Sequence, residues 1–117
     1  VCPVGATFRG PDGVVLVDQK YCVGCRYCIQ ACPYGARYLH PEKLVADKCT
    51  FCYHRVKKGL LPACVEVCPT QARLFGEIGS HSSPLWRFMR ANATTILKPE
   101  LNTRPSVIYA GASGEVR

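Results

Sequence analysis

The sequence predicts an α+β fold of short β-hairpins and short helices, folded around cysteine-bound centres and followed by a C-terminal extension. Three observations predict it. Nine of the 117 residues are cysteine, at positions 2, 22, 25, 28, 32, 49, 52, 64 and 68. Three segments open alike: Cys2-Pro3-Val4-Gly5-Ala6, Cys32-Pro33-Tyr34-Gly35-Ala36 and Cys68-Pro69-Thr70-Gln71-Ala72. The apolar runs between them span only a few residues and are set off by Gly and Pro. The 48% hydrophobic fraction includes the cysteines, so the remainder suffices for a small core, and a covalent or metallic brace is expected. No run of about 18 apolar residues occurs, so these residues encode no transmembrane helix. The start, Val1-Cys2-Pro3, is neither an initiator Met nor a signal peptide, and the chain is expected to be a piece of something longer.

Each element has a local reason. After the turn Gly10-Pro11-Asp12-Gly13, the run Val14-Val15-Leu16-Val17 predicts a short strand. A short helix is expected between Cys25 and Cys32, and Pro33 then removes a donor and fixes the exit direction. Strand pieces follow at Ala36–Leu39 and, after the turn around His40-Pro41, at Leu44-Val45. The polar stretch from Tyr53 to Ala63, with Arg55, Lys57, Lys58 and Gly59, is expected at the surface. A second short helix is expected from Cys64 to Cys68, then a strand piece over Ala72–Ile78. From Gly79 the cysteines stop. Ser82-Ser83-Pro84 supplies the N-cap and first turn of a helix through Leu85, Trp86, Phe88, Met89 and Ala93. Lys98-Pro99-Glu100 should end any helix. Ser106 to Ala110 adds one strand before the polar tail Gly111–Arg117. Residues 1–79 are thus expected to form the cysteine-rich module, and 80–117 an arm that packs on the core or on a partner.

Cysteine spacing carries the chemistry. An odd number argues against a closed disulfide set. Cys22-x2-Cys25-x2-Cys28-x3-Cys32-Pro33 is the bacterial ferredoxin run that holds a cubane iron–sulfur cluster. The two-residue gaps curl the backbone so that three thiolates converge and N–H groups point at the sulfurs. In such runs the fourth Cys normally reaches the neighbouring cluster. Cys49-x2-Cys52-x11-Cys64-x3-Cys68-Pro69 is the same device with a loop before its third ligand. Zinc is the alternative, since two CxxC pairs suit a structural ribbon and the second motif alone fits one. The Cys-Pro repeat makes Cys2 the closing cysteine of another motif whose first three ligands lie upstream; the alternative is a stray buried cysteine. The whole is a ferredoxin-like α+β module, with all nine cysteines as candidate [4Fe-4S] ligands. His40, His54 and His81 are expected as surface or turn residues.

With both motifs and the truncated third in hand, the chain resembles the iron–sulfur electron-transfer subunits of the molybdopterin oxidoreductases. That group comprises the dimethyl-sulfoxide, polysulfide and tetrathionate reductases, with nitrate reductase and formate dehydrogenase relatives. The resemblance covers about residues 1–79 and extends to the arm segment Lys98-Pro99-Glu100-Leu101-Asn102-Thr103-Arg104-Pro105. It implies four Cys motifs in two ferredoxin-like modules, of which this chain holds the third, the fourth and the last Cys of the second. It further implies that Cys2, Cys22, Cys25 and Cys28 hold one complete cubane. Cys49, Cys52 and Cys64 would hold a second, its fourth ligand coming from the absent N-terminal half. Cys32 and Cys68 would each close a cluster whose other ligands are also absent. A competing assignment makes the two full motifs a self-contained eight-iron ferredoxin. Cys68 then joins Cys22, Cys25 and Cys28, Cys32 joins the second set, and Cys2 is idle.

The implied function is one-electron relay between a molybdopterin catalytic subunit and a membrane anchor, either quinone-handling or cytochrome, in anaerobic respiration. The chain itself does no bond chemistry, so no catalytic residue is sought. Membrane association then runs through partner subunits, on the periplasmic side ahead of the cytoplasmic alternative. A soluble ferredoxin-like carrier is the first rival, and the cysteine-free arm argues against it. A zinc-binding nucleic-acid module is the second. The formal charge is +7, from 15 Lys+Arg against 8 Asp+Glu. Each four-thiolate cubane carries roughly −2, so the basic excess is partly local compensation and no nucleic-acid partner is expected. Arg37 and Arg73 follow Cys-Pro helices and either offset cluster charge or are ordinary exposed arginines. Lys57-Lys58 is expected as a solvated patch. The absence of a Cys-x3-Cys-x2-Cys run sets aside a radical enzyme.

Overall fold

Among the described residues every strand is short, and the first four pair in two hairpins, each closed by a turn. The computed structural model describes residues 1–111, so most of the expected polar tail lies outside the described residues. Strand β1 (Thr7–Arg9) pairs antiparallel with β2 (Val15–Val17), with Thr7 opposite Val17 and Arg9 opposite Val15. The predicted turn closes this hairpin. Gly10 N–H donates to the Val14 carbonyl at 2.8 Å, Gly13 N–H donates to the Gly10 carbonyl at 3.0 Å, and Gly13 takes a left-handed φ of 84°. Asp12 Oδ1 accepts from Val14 N–H at 3.3 Å, the local bond that makes Asp a turn residue.

The second hairpin pairs β3 (Arg37–Leu39) with β4 (Ala46–Lys48), placing Arg37 opposite Lys48 and Tyr38 opposite Asp47. The strand expected at Leu44-Val45 therefore starts later. Leu44 is left-handed, at φ 54°, and belongs to the turn, where its N–H donates to the His40 carbonyl at 2.9 Å. His40 is the turn residue expected of it, its Nδ1 accepting from the N–H groups of Glu42 and Lys43 at 3.3 Å each.

The two hairpins are stitched together by polar side chains. Arg37 Nη1 donates to Thr7 Oγ1 at 2.9 Å, Gln19 Nε2 to Asp47 Oδ2 at 3.1 Å, and Lys43 Nζ to Gln19 Oε1 at 2.7 Å. Ala6 and Ala46, one from each hairpin region, are only 2% exposed, and small side chains there let backbones come close. Pro62 is also fully buried.

Three one-turn helices carry cysteines or follow them: α1 (Tyr27–Gln30), α2 (Tyr53–Val56) and α3 (Ala63–Glu66). Helix α2 and the buried Pro62 correct the expectation of a surface loop from Tyr53 to Ala63. Arg55 Nε ties the segment down by donating to the Leu61 carbonyl at 2.8 Å. The Tyr53 hydroxyl is bonded by Asp12, which holds the phenol above its ordinary value. Lys57 to Leu61 are exposed, as expected of the tip. The strand expected over Ala72–Ile78 does not form among the described residues. The first two Cys-Pro repeats each lead into a strand that meets a following one, whereas the third leads to Gly76 and then a helix.

By backbone packing the chain divides into two compact units, Val1–Ala63 and the residues from Cys64 on. In the second, α4 (Pro84–Ala91) starts as predicted, with Ser83 Oγ accepting from Trp86 N–H at 3.1 Å and Pro84 at its first position. It stops before Ala93, where Asn92 turns extended and its Nδ2 donates to the Phe88 carbonyl at 2.8 Å. Trp86 stacks on His81, with ring centroids 4.7 Å apart, and Arg90 lies over its ring at 5.2 Å. Strand β5 (Thr94–Thr95) pairs with β6 (Tyr109–Ala110), the latter narrower than the expected Ser106–Ala110. Between them Pro99–Leu101 form one 3-10 turn.

Candidate metal centres

No disulfide joins the nine cysteines: Cys2, Cys22, Cys28, Cys32, Cys52 and Cys68 are half-buried, and Cys25, Cys49 and Cys64 are exposed. The three Cys-Pro repeats share one backbone device. The third residue after each cysteine is left-handed: Gly5 at φ 67°, Gly35 at 60° and Gln71 at 51°. Its N–H returns to the carbonyl of that cysteine, at 3.5, 3.3 and 3.1 Å respectively. The chain behind it is then turned toward the sulfur. Ala36 N–H donates to Cys32 Sγ at 3.4 Å. Around Cys2 the N–H of Thr7, then those of Val4, Ala6 and Gly5, hold the thiol below its ordinary value against the opposing effect of burial. Around Cys68 the Thr70 hydroxyl leads, 3.6 Å from Sγ, with the N–H groups of Ala72, Arg73 and Thr70 acting in the same direction. Cys2 is therefore built like the closing cysteines of the two complete motifs.

The CxxC loops use the same physics. Phe51 and Cys52 are left-handed at φ 55° and 52°, and Phe51 N–H donates to Cys49 Sγ at 3.4 Å. In the other loop, Cys22 Sγ accepts from Ala46 N–H at 3.4 Å, which pins the loop to β4. Gly24 has φ 68°, and a Cβ there would stand 2.5 Å from the Leu44 carbonyl oxygen. Only glycine fits. Gly24→Ala is expected to lose more than the roughly 1–2 kcal/mol of a left-handed alanine, because a backbone carbonyl must also move. Gly5→Ala, left-handed but with nothing within 4 Å of its Cβ position, is the control and should lose only the backbone part. Chemical unfolding of both variants in their iron-loaded form measures the difference.

The donor set suits iron–sulfur clusters. Thiolates are the required ligands, and N–H donors aimed at sulfur are among the features that set cluster potentials. Lys48 adds positive charge beside them. Burial first, and Arg37 second, hold its ammonium below the ordinary lysine value, and Nζ donates to the Cys49 carbonyl at 2.7 Å. Among the described residues, no three His, Cys, Asp or Glu side chains gather closely enough to hold a single metal ion. Cys64 and Cys68 lie in the second unit, the other seven cysteines in the first. The sequence reading expected backbone N–H groups at the sulfurs but not which ones, Ala36, Ala46 and Phe51, and it missed the Thr70 hydroxyl. One signal was present: the fourth residue after each repeat cysteine is alanine, at Ala6, Ala36 and Ala72.

Residues 1–78 match the family described as the 4Fe-4S dicluster domain. A tetrathionate reductase subunit from Salmonella typhimurium is 53% identical over 113 residues, covering 95% of this chain and 45% of that protein. Protein NrfC of Escherichia coli is 46% identical over 109 residues, 92% of this chain and 49% of NrfC. The thiosulfate reductase electron transfer subunit PhsB of Salmonella typhi is 49% identical over 87 residues, 74% of this chain and 45% of PhsB. The chain spans about half the length of the curated relatives it matches.

Proposed function

Because the chain belongs to the 4Fe-4S dicluster domain family, we propose that it relays single electrons from one subunit of a reductase complex to another. The partners are a molybdopterin catalytic subunit and a membrane quinone-handling or cytochrome subunit. The observation that carries the reading is the pair of four-cysteine motifs whose sulfurs Cys22, Cys32 and Cys49 each accept a backbone N–H.

Cys2, Cys22, Cys25 and Cys28 hold one cluster in this proposal. Cys49, Cys52 and Cys64 hold a second with a ligand from outside these residues, and Cys32 and Cys68 close two others. Bound there, a [4Fe–4S] cluster supplies reversible one-electron oxidation and reduction. The chain supplies the rest: left-handed turns that aim the thiols, N–H donors that stabilise thiolate charge, and a fixed spacing. It breaks and makes no substrate bond, so it holds no catalytic residue.

Residues 1–79 form the cluster module in this reading and 80–117 an arm toward a partner. Among the described residues no helix is long and apolar enough to cross a membrane, and attachment in this proposal runs through the partner, on the periplasmic side. Spectroscopy of the intact complex tests the relay. Paramagnetic signals of reduced clusters are expected on adding quinol or dithionite, and they should vanish when the oxidised substrate of the complex is added. A complex that turns over with no such signals overturns the proposal.

A further inference from the structure

We propose that Arg37 and Lys48 form a built-in cationic pair that raises the reduction potential of the cluster held through Cys49. The inference rests on the cluster-ligand reading above. Arg37 and Lys48 stand directly opposite each other in the β3–β4 hairpin. Opposed residues share one face of a sheet, and like charges placed so are destabilising. Both side chains are half-buried, which weakens the screening that water gives such a pair on a surface.

The carboxylate of the same strand offsets the pair only in part: Asp47 attracts Lys48 less than Arg37 repels it. Asp47 is paired with Tyr38 on the alternate face, where its Oδ2 accepts from Gln19 Nε2 at 3.1 Å and from the Tyr38 hydroxyl at 3.4 Å. Its Oδ1 accepts from the backbone N–H of Lys48 at 2.8 Å. Both cations are held by neutral acceptors: Arg37 Nη1 by Thr7 Oγ1 at 2.9 Å, and Lys48 Nζ by the Cys49 carbonyl at 2.7 Å. These bonds position the charges without neutralising them.

Their position is specific. The pair closes the open end of the hairpin, where the chain arrives from the Cys32 turn and leaves into Cys49. Ala36, the residue before Arg37, donates to Cys32 Sγ, and Cys49 directly follows Lys48. In the ligand reading above Cys32 and Cys49 serve different cubanes, and the one held through Cys49, directly after Lys48, would be the anion that compensates the pair. Taking up one electron moves it from roughly −2 to roughly −3, with no proton transferred and no bond broken. Fixed positive charge stabilises the more negative, reduced state more strongly, so the pair makes the cluster easier to reduce.

The test uses the full subunit within its complex, with iron and sulfide counted and cluster signals followed in a potentiometric titration. Lys48→Gln is expected to keep its iron and to reduce about tenfold less favourably, about 59 mV lower for one electron. Lys48→Arg should restore the parental potential, which a purely packing role would not require. Arg37→Gln asks the same question from the other strand, and keeps the test open should Lys48→Gln fail to assemble. Iron-replete glutamine variants with an unchanged midpoint potential overturn the inference. A parental complex without iron and sulfide would instead overturn the electron-relay reading itself.

Discussion

Replacing Cys25 by serine is expected to remove one whole cluster, about four iron and four sulfide per subunit, and to interrupt electron passage through the complex. Cys25 is the second cysteine of the first complete motif and is exposed, so its loss opens no cavity and the effect reports ligation. A serine oxygen is a harder donor than thiolate and a poor match for iron–sulfur chemistry. The same measurement on Cys2→Ser decides the pairing. If Cys2 completes the set of Cys22, Cys25 and Cys28, both variants lose the same spectroscopic signal. If the two full motifs form a self-contained pair, Cys2→Ser keeps every cluster. The shared geometry of the Cys2, Cys32 and Cys68 turns favours the first outcome.

Stripping the iron is expected to unfold the hairpin region, with loss of its far-ultraviolet dichroism and rapid proteolysis within residues 1–63. The reason is the size of the core. Apart from Pro62, only Ala6 and Ala46 are buried apolar side chains among the described residues, and no strand there exceeds three residues. A two-stranded hairpin is marginal by itself in water, and two of them joined by a few polar bonds add little. Apolar side chains next to the cysteines stay open: Tyr21 is 69% exposed and Val23 65%. Ligation must then contribute folding free energy, as it does in other small metal-bound domains. Retained dichroism and protease resistance after complete iron removal would show that the protein fold stands without its clusters.

The parts legible in the sequence were those fixed by local chemistry. Gly10 to Gly13 made a turn because Gly13 accepts a left-handed φ and Asp12 bonds forward. Ser83 capped α4 because its hydroxyl reaches the Trp86 N–H and Pro84 has no donor to lose. The Cys-Pro repeats were visible as words, and each became the same turn even where Gln71 replaces glycine. What depended on a distant partner was harder to read. Apolar Leu44-Val45 looked like the strand, yet the pairing with β3 falls on Ala46–Lys48, including two charged residues. Ala72–Ile78 had strand-like composition but meets no strand among the described residues. Helix α2 was hidden because its fixing contacts, Arg55 to Leu61 and Tyr53 to Asp12, appear only after the chain folds back. N–H donors at the sulfurs were expected, but which residues supply them was hidden for a related reason, since every non-proline residue carries an N–H and only the turn decides where it points.

The central claim is that these cysteines hold iron–sulfur clusters, and iron, zinc and acid-labile sulfide counted per full-length subunit in the isolated complex test it most directly. The account predicts iron and sulfide in equal amounts, about 16 of each for a four-cluster relay. Zinc without sulfide would contradict it.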